Sequence, residues 1–205
     1  MKIGVFGGTF DPPHVGHVAV AEDARIQLGL DRVLLIPAHV SPFKVEETGI
    51  TDPELRLRMT RAAVEGHPGL SIDRIELDRD PPSWTVDTLR GLADRMPDAQ
   101  LHLLMGADQW ASFGRWKGVG EIAELAEIVV MSRDGQDPAE LDPALAPGTE
   151  VPWRTVKVRR IDVSSTDVRG RVRAGLPIDD LVSPGVASII HDHELYRAAS
   201  AANTA

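Results

Sequence analysis

A glycine-rich stretch, Gly7-Gly8-Thr9-Phe10-Asp11-Pro12-Pro13-His14-Val15-Gly16-His17, stands between an apolar run and a helical pattern, and it narrows the folds open to this chain. Ile3 to Phe6 is short, apolar and partly β-branched, as a buried strand is. Val18, Ala21, Ala24, Arg25 and Leu28 recur at helical spacing until Gly29 ends them. The glycines therefore join a strand to a helix N-terminus, where the backbone can approach a ligand closely and unpaired N–H groups carry partial positive charge. His14 and His17 are three residues apart, so in a helical first turn both imidazoles point the same way. Gly16 between them is expected to leave room for a flat ligand. The spacing fits neither a P-loop nor a dinucleotide fingerprint.

The rest of the chain repeats the strand-then-helix alternation. Strands are expected at Arg32 to Ile36, at Leu70 to Leu77 with an irregularity near Asp73-Arg74, at Leu101 to Met105, at Ile128 to Met131 and at Thr155 to Ile161. Helices are expected from Asp52-Pro53 to Gly66, from Ser83 to Met96, in one or two short pieces between Ala107 and Leu125, from Ser164 onward, and from Ser183-Pro184 to near Tyr196. Asp134 to Pro152 is rich in proline and acids and reads as a mobile surface loop. This order predicts an α/β fold with a doubly wound, mainly parallel sheet, formed by one domain over residues 1–197 with a frayed tail at 198–205. Ligands of such sheets bind beyond the carboxyl ends of the strands. The polar clusters obey that rule: Gly7 to His17, Pro37 to Lys44, Gly106 to Asp108, Ser132-Arg133 and Asp162 to Arg169 each follow a strand.

Charge and composition exclude several classes of function. A net charge of −9 lacks the basic face of a nucleic-acid binder, so a polyanionic ligand would have to be held by a few local cations and backbone dipoles. There is no cysteine, hence no disulfide and no thiolate zinc site. No stretch approaches a membrane span, and the expected location is the cytoplasm. A homo-oligomer stays open.

A second element, Ile161-Asp162-Val163-Ser164-Ser165-Thr166-Asp167-Val168-Arg169, again runs from a strand into a helix start. Its three hydroxyls can cap the helix or donate to an anion, with Arg169 one turn on. Together the two elements resemble the H-x-G-H and I-S-S-T-x-x-R signatures of the nucleotidyltransferase superfamily. Gly106-Ala107-Asp108 with Phe113 and Trp116, Ser83-Trp84-Thr85-Val86-Asp87-Thr88-Leu89, and the series Val186, Ile190, Leu195, Tyr196 are similar to further elements of bacterial nicotinate-mononucleotide adenylyltransferases. The resemblance implies a Rossmann-like nucleotidyltransferase fold, with ATP and nicotinate mononucleotide as substrates and Mg²⁺ carried on the ATP phosphates without a dedicated metal site. It assigns catalysis to His14, His17 and Arg169, and ATP binding to Gly8, Thr9, Phe10, Gly106, Asp108, Ser164, Ser165 and Thr166. It assigns the acceptor to Lys44, Trp84, Thr85, Trp116 and Arg133.

One departure concerns the acceptor pocket. Where the family commonly reads P-P-H-[KR], this chain has Ser41-Pro42-Phe43-Lys44, an apolar ring in place of a polar group. Related transferases acting on nicotinamide mononucleotide or phosphopantetheine, and a non-catalytic nucleotide sensor, are the alternatives; both histidines, the hydroxyl triplet and Arg169 are intact, which disfavours the sensor.

Overall fold

The computed structural model describes residues 1–42, 49–132 and 143–197, and six strands among them form one sheet in the order β3-β2-β1-β4-β5-β6, every neighbouring pair parallel. The strands are β1 (Lys2–Gly8), β2 (Arg32–Pro37), β3 (Leu70–Ile72), β4 (Gln100–Gly106), β5 (Glu127–Ser132) and β6 (Trp153–Lys157). The helices are α1 (Val15–Leu28), α2 (Pro53–Val64), α3 (Thr85–Arg95), α4 (Ala107–Ala111), α5 (Val119–Leu125), α6 (Ser165–Arg173) and α7 (Pro184–Asp192). Chain order reverses between β1 and β4, the doubly wound arrangement expected, and that switch point opens a crevice above the strand ends.

Period-two alternation divides the sheet's side chains between two cores. Ile3, Val5, Leu34, Ile36, Leu103, Met105, Ile128 and Val130 face α3, α5 and Trp110, whereas Phe6, Val33, Leu35, Leu104, Val129 and Met131 face α1, α2, α6 and α7. Burial on both faces explains why these strands read as continuous apolar runs. No helix among the described residues is long and apolar enough to cross a membrane.

Several boundaries differ from expectation, each for a local reason. β1 runs on through both glycines to Gly8, paired with Pro37 of β2. The strand expected to reach Leu77 stops at Ile72, because the Asp73 carboxylate accepts the Ile75 N–H at 2.9 Å and the Leu77 and Asp78 N–H groups turn back onto the Arg74 carbonyl. α3 starts at Thr85, after Trp84 in extended conformation, and the Ser83 N–H pairs with the carbonyl of Val40. β6 lies at Trp153–Lys157 instead of Thr155 to Ile161. Trp153 packs 4.8 Å from Trp110, and the Arg159 N–H leaves the ladder for the Asp23 carboxylate. α7 ends at Asp192, and Glu194 and Tyr196, at φ 50° and 62°, turn the chain back toward the sheet. The stretch read as a mobile surface loop buries Val151 and packs Leu145 into a core over its described part, residues 143–152.

Candidate active site

β1 delivers its two glycines to the switch point, and α1 begins immediately beyond, with His14 as N-cap in extended conformation and His17 in the first turn. The His14 backbone N–H donates to His17 Nδ1 at 3.2 Å, which leaves Nε2 to carry the ring proton of a neutral His17. The two imidazoles lie face to face, centroids 3.7 Å apart and 30° from parallel. The buried Phe10 ring braces His17 from behind, edge to face at 5.0 Å, and takes a φ of 49° to do so. A non-glycine residue in that region stores on the order of 1 kcal/mol of strain. Phe10 thus supports the site from within the core. A Cβ on Gly7 would meet nothing, so this glycine leaves the floor of the crevice open. Gly16 lines the cleft between the two histidines, and a Cβ there would lie 3.0 Å from His14 Nδ1 and 3.1 Å from Val163, so a side chain at this position would crowd the His14 ring.

The second strand-to-helix element converges on the first. Ser165 Oγ donates to the Pro12 carbonyl at 2.8 Å, and Arg169 donates to the Asp11 carbonyl at 2.6 Å and to Thr166 Oγ1 at 3.2 Å. The three hydroxyls have separate uses. Ser164 caps α6 in a reciprocal box with Asp167, whose carboxyl is held below its ordinary range by the Ser164 hydroxyl and backbone N–H. Ser165 ties the elements together, and Thr166 is exposed at the helix start. Two helix N-termini, those of α1 and α6, therefore open on one crevice, each equivalent to about half a positive charge.

That crevice is a cleft of about 1380 Å³. Its lining includes Gly7 to Asp11, His14, His17, Gly106, Asp108, Ser164, Ser165 and Arg169, with Arg159, Arg173 and Arg197 adding positive charge. Acidic groups share the lining, with Asp11, Asp52, Asp108 and Glu194 beside these arginines, and Arg159 and Arg197 are paired with Asp23 and Glu194. Asp108 is not the helix cap: Gly106 occupies that position and its N–H goes to the Gln109 side chain at 3.1 Å, leaving the Asp108 carboxylate exposed at the rim.

Two of the groups that hold the cleft together, Tyr196 and Arg56, lie outside both sequence motifs. The Asp11 carboxylate, 6% exposed, accepts the Tyr196 hydroxyl at 2.5 Å and the Thr51 N–H at 3.1 Å. Burial, and then the charge of Asp11, push the Tyr196 phenol well above its usual range, so it stays a donor. Arg56 is fully buried on α2 and donates to three backbone carbonyls around the cleft. An arginine on the same helical face as Thr60 and Ala63, between Leu55 and Leu57, was the available signal. Tyr196 closes the terminal series Val186, Ile190, Leu195, Tyr196, for which the family resemblance gives no role.

The residues expected to bind the acceptor lie elsewhere. Trp84 caps the start of α3, Thr85 is its first residue, and Lys117 sits over the Trp84 ring at 5.4 Å, next to Trp116, which packs against Phe113. They adjoin one another but are not among the residues lining the cleft. Beneath the same helix start lies a buried polar cluster in which the Thr88 hydroxyl meets Glu76 at 2.7 Å and Arg79 at 2.8 Å; burial raises the Glu76 carboxyl above its ordinary value. Phe43, Lys44 and Arg133 lie outside the described residues. Among the described residues no group of three or more metal-ligating side chains is present.

Residues 5–171 match the cytidylyltransferase-like family. Over 95% of its length the chain is 44% identical to a probable nicotinate-nucleotide adenylyltransferase of Roseiflexus sp., covering 98% of that protein. Over 96% it is 40% identical to another from Gemmatimonas aurantiaca, covering 93%. In three dimensions it is similar to the nicotinic acid mononucleotide adenylyltransferase of Plasmodium falciparum complexed with NaAD, with a TM-score of 0.74 over 95% of this chain and 97% of that one; at 16% identity this is a likeness of fold.

Proposed function

Because this chain belongs to the nicotinate-nucleotide adenylyltransferase family, within the cytidylyltransferase-like nucleotidyltransferases, we propose that it transfers the adenylyl group of ATP to nicotinate mononucleotide. The observation that carries this reading is the convergence of the α1 and α6 starts on one cleft, joined by the Ser165 to Pro12 and Arg169 to Asp11 hydrogen bonds.

A triphosphate lying across both helix starts would meet backbone N–H groups, the His17 Nε2 donor and the Arg169 guanidinium, whose remaining N–H groups can follow the phosphate oxygens. The 5′-phosphate of the mononucleotide is already anionic near pH 7 and needs no general base. One of its oxygens forms a bond to the α-phosphorus as the bond from that phosphorus to the bridging oxygen of the β-phosphate breaks. Pyrophosphate leaves with the electron pair, and nicotinate adenine dinucleotide is the other product. No covalent intermediate on the protein is required. The protein's share is alignment and stabilisation of the charge that develops on the phosphates. Mg²⁺ carried on the ATP phosphates would neutralise part of their charge; among the described residues no cluster of three metal-ligating side chains would hold it, and the Asp11 carboxylate is engaged by Tyr196 and Thr51. The family resemblance assigns the ribose hydroxyls to Asp108, at the rim of the cleft, and the acidic pyridine ring to Trp84, Thr85 and Trp116, outside the cleft lining. Lys44 and Arg133 are assigned to the acceptor phosphate on the family resemblance alone.

The test is turnover with purified chain and MgATP against nicotinate mononucleotide, its amide and phosphopantetheine in separate reactions. Fastest dinucleotide and pyrophosphate formation with the acid, abolished in His14→Ala, supports the reading. Fastest turnover with either other acceptor overturns it.

A further inference from the structure

Arg56 is a fully buried cation whose hydrogen-bond partners are all neutral. Its Nε donates to the Thr51 carbonyl at 2.9 Å, Nη1 to the Thr9 carbonyl at 2.8 Å and Nη2 to the His39 carbonyl at 2.9 Å. These carbonyls belong to three separate segments: the loop between β1 and α1, the stretch leaving β2, and the residue before the Asp52 cap of α2. Thr9 and Thr51 line the cleft, whereas Arg56 does not. Its guanidinium therefore draws the Thr9 and Thr51 carbonyl oxygens to the side away from the cleft.

That orientation matters for an anion. A carbonyl oxygen turned into the cleft would repel a phosphate, while one turned outward leaves the neighbouring N–H edge for the ligand. Arg56 also balances the charge of Asp11, the carboxylate that acts on it most strongly. Desolvation works against the buried charge, yet a guanidinium stays protonated, and its rigid fork serves three directions as an ammonium cannot.

We propose that Arg56 is a positioning residue for the nucleotide: by clamping the Thr9, His39 and Thr51 carbonyls it holds the glycine loop with its N–H groups toward the triphosphate and fixes both flanks of residues 43–48 to that loop. The proposal rests on the reading of the cleft as the ATP site.

The test compares the full-length wild type with Arg56→Lys, which keeps the charge and loses the fork, by calorimetric titration with the magnesium complex of an α,β-methylene ATP analogue, by steady-state kinetics and by thermal melting. A folded Arg56→Lys protein is expected to bind the analogue about 10- to 100-fold more weakly and to lose kcat as well, the size of effect that a small displacement of positioning groups produces. Arg56→Ala supplies the second arm: guanidinium ion added at millimolar concentration restores analogue binding in a dose-dependent way. The proposal is overturned if Arg56→Lys melts lower yet binds within about twofold of wild type. It is equally overturned if Arg56→Ala folds and binds normally without guanidinium. Should the wild type form no dinucleotide, the functional reading fails while the analogue titrations still decide the role of Arg56.

Discussion

Removing one oxygen from Tyr196 separates the tail-end contact from everything else in the cleft. The Tyr196 hydroxyl donates to Asp11 at 2.5 Å across 185 residues of sequence, and the recipient carboxylate is 6% exposed, so water cannot easily replace the lost donor in Tyr196→Phe. A hydrogen bond to a buried charged group contributes about 1.5–3 kcal/mol. For a chain of this size each kcal/mol moves the melting temperature by about 2–4 °C, so Tyr196→Phe is expected to melt about 3–12 °C lower. Asp11→Asn removes the charge from the same pair, and the double variant should cost less than the sum of the two single changes, because the second removal finds the interaction already gone. The Asp11 carbonyl also holds Arg169, so the loosened loop should raise KM for ATP in Tyr196→Phe. Differential scanning calorimetry of the four proteins decides it. An unchanged melting temperature in Tyr196→Phe, or strict additivity in the double variant, refutes the view that this contact pins the C-terminal segment to the glycine loop.

Three other outcomes follow from the geometry. Burial raises the Glu76 carboxyl above 4.5, so its contribution to stability is fully present below that pH and is lost as pH rises through the higher folded value. Urea titrations at a series of pH values should therefore show wild type losing ground to Glu76→Gln with increasing pH; a flat or opposite trend contradicts the assignment. Gly114→Ala would place a Cβ 2.0 Å from the Ala144 carbonyl oxygen and strain the Gly114 N–H bond to Pro143, costing about 1–3 kcal/mol by overpacking. A melting temperature equal to wild type would show that residues 143–145 are not seated there. His17→Ala removes a donor placed where charge develops, and kcat should fall about 10²- to 10³-fold. A change confined to KM would make His17 a binding residue only.

The parts of the site that could be read from the chain are those in which neighbours in sequence are neighbours in space. Gly7 to His17 and Ile161 to Arg169 are each a strand end followed by a helix start, and spacing within such a segment specifies its geometry. The alternation of apolar strands with helices likewise determined a parallel wound sheet, because a parallel pair needs a crossover. What stayed hidden was set by distant partners. Asp11 and Tyr196 meet across the whole chain, and Arg56 reaches carbonyl groups, which carry no side-chain signature. β3 fell short of its apolar pattern because a single Asp73 carboxylate captured the next turn. Trp116 could be placed beside Trp84 only once α3 and α5 had been packed against each other.

In this reading the histidine pair and the hydroxyl-rich start of α6 hold one triphosphate between them. A crystal structure of the chain with the magnesium complex of a non-hydrolysable ATP analogue tests this directly. A single nucleotide is expected, with its phosphate oxygens within hydrogen-bond distance of the His14 and His17 side of the cleft and, at the other end, of Arg169 and the α6 N-terminus. A nucleotide whose phosphates touch only one of the two elements, or that binds away from the switch point between β1 and β4, would contradict it.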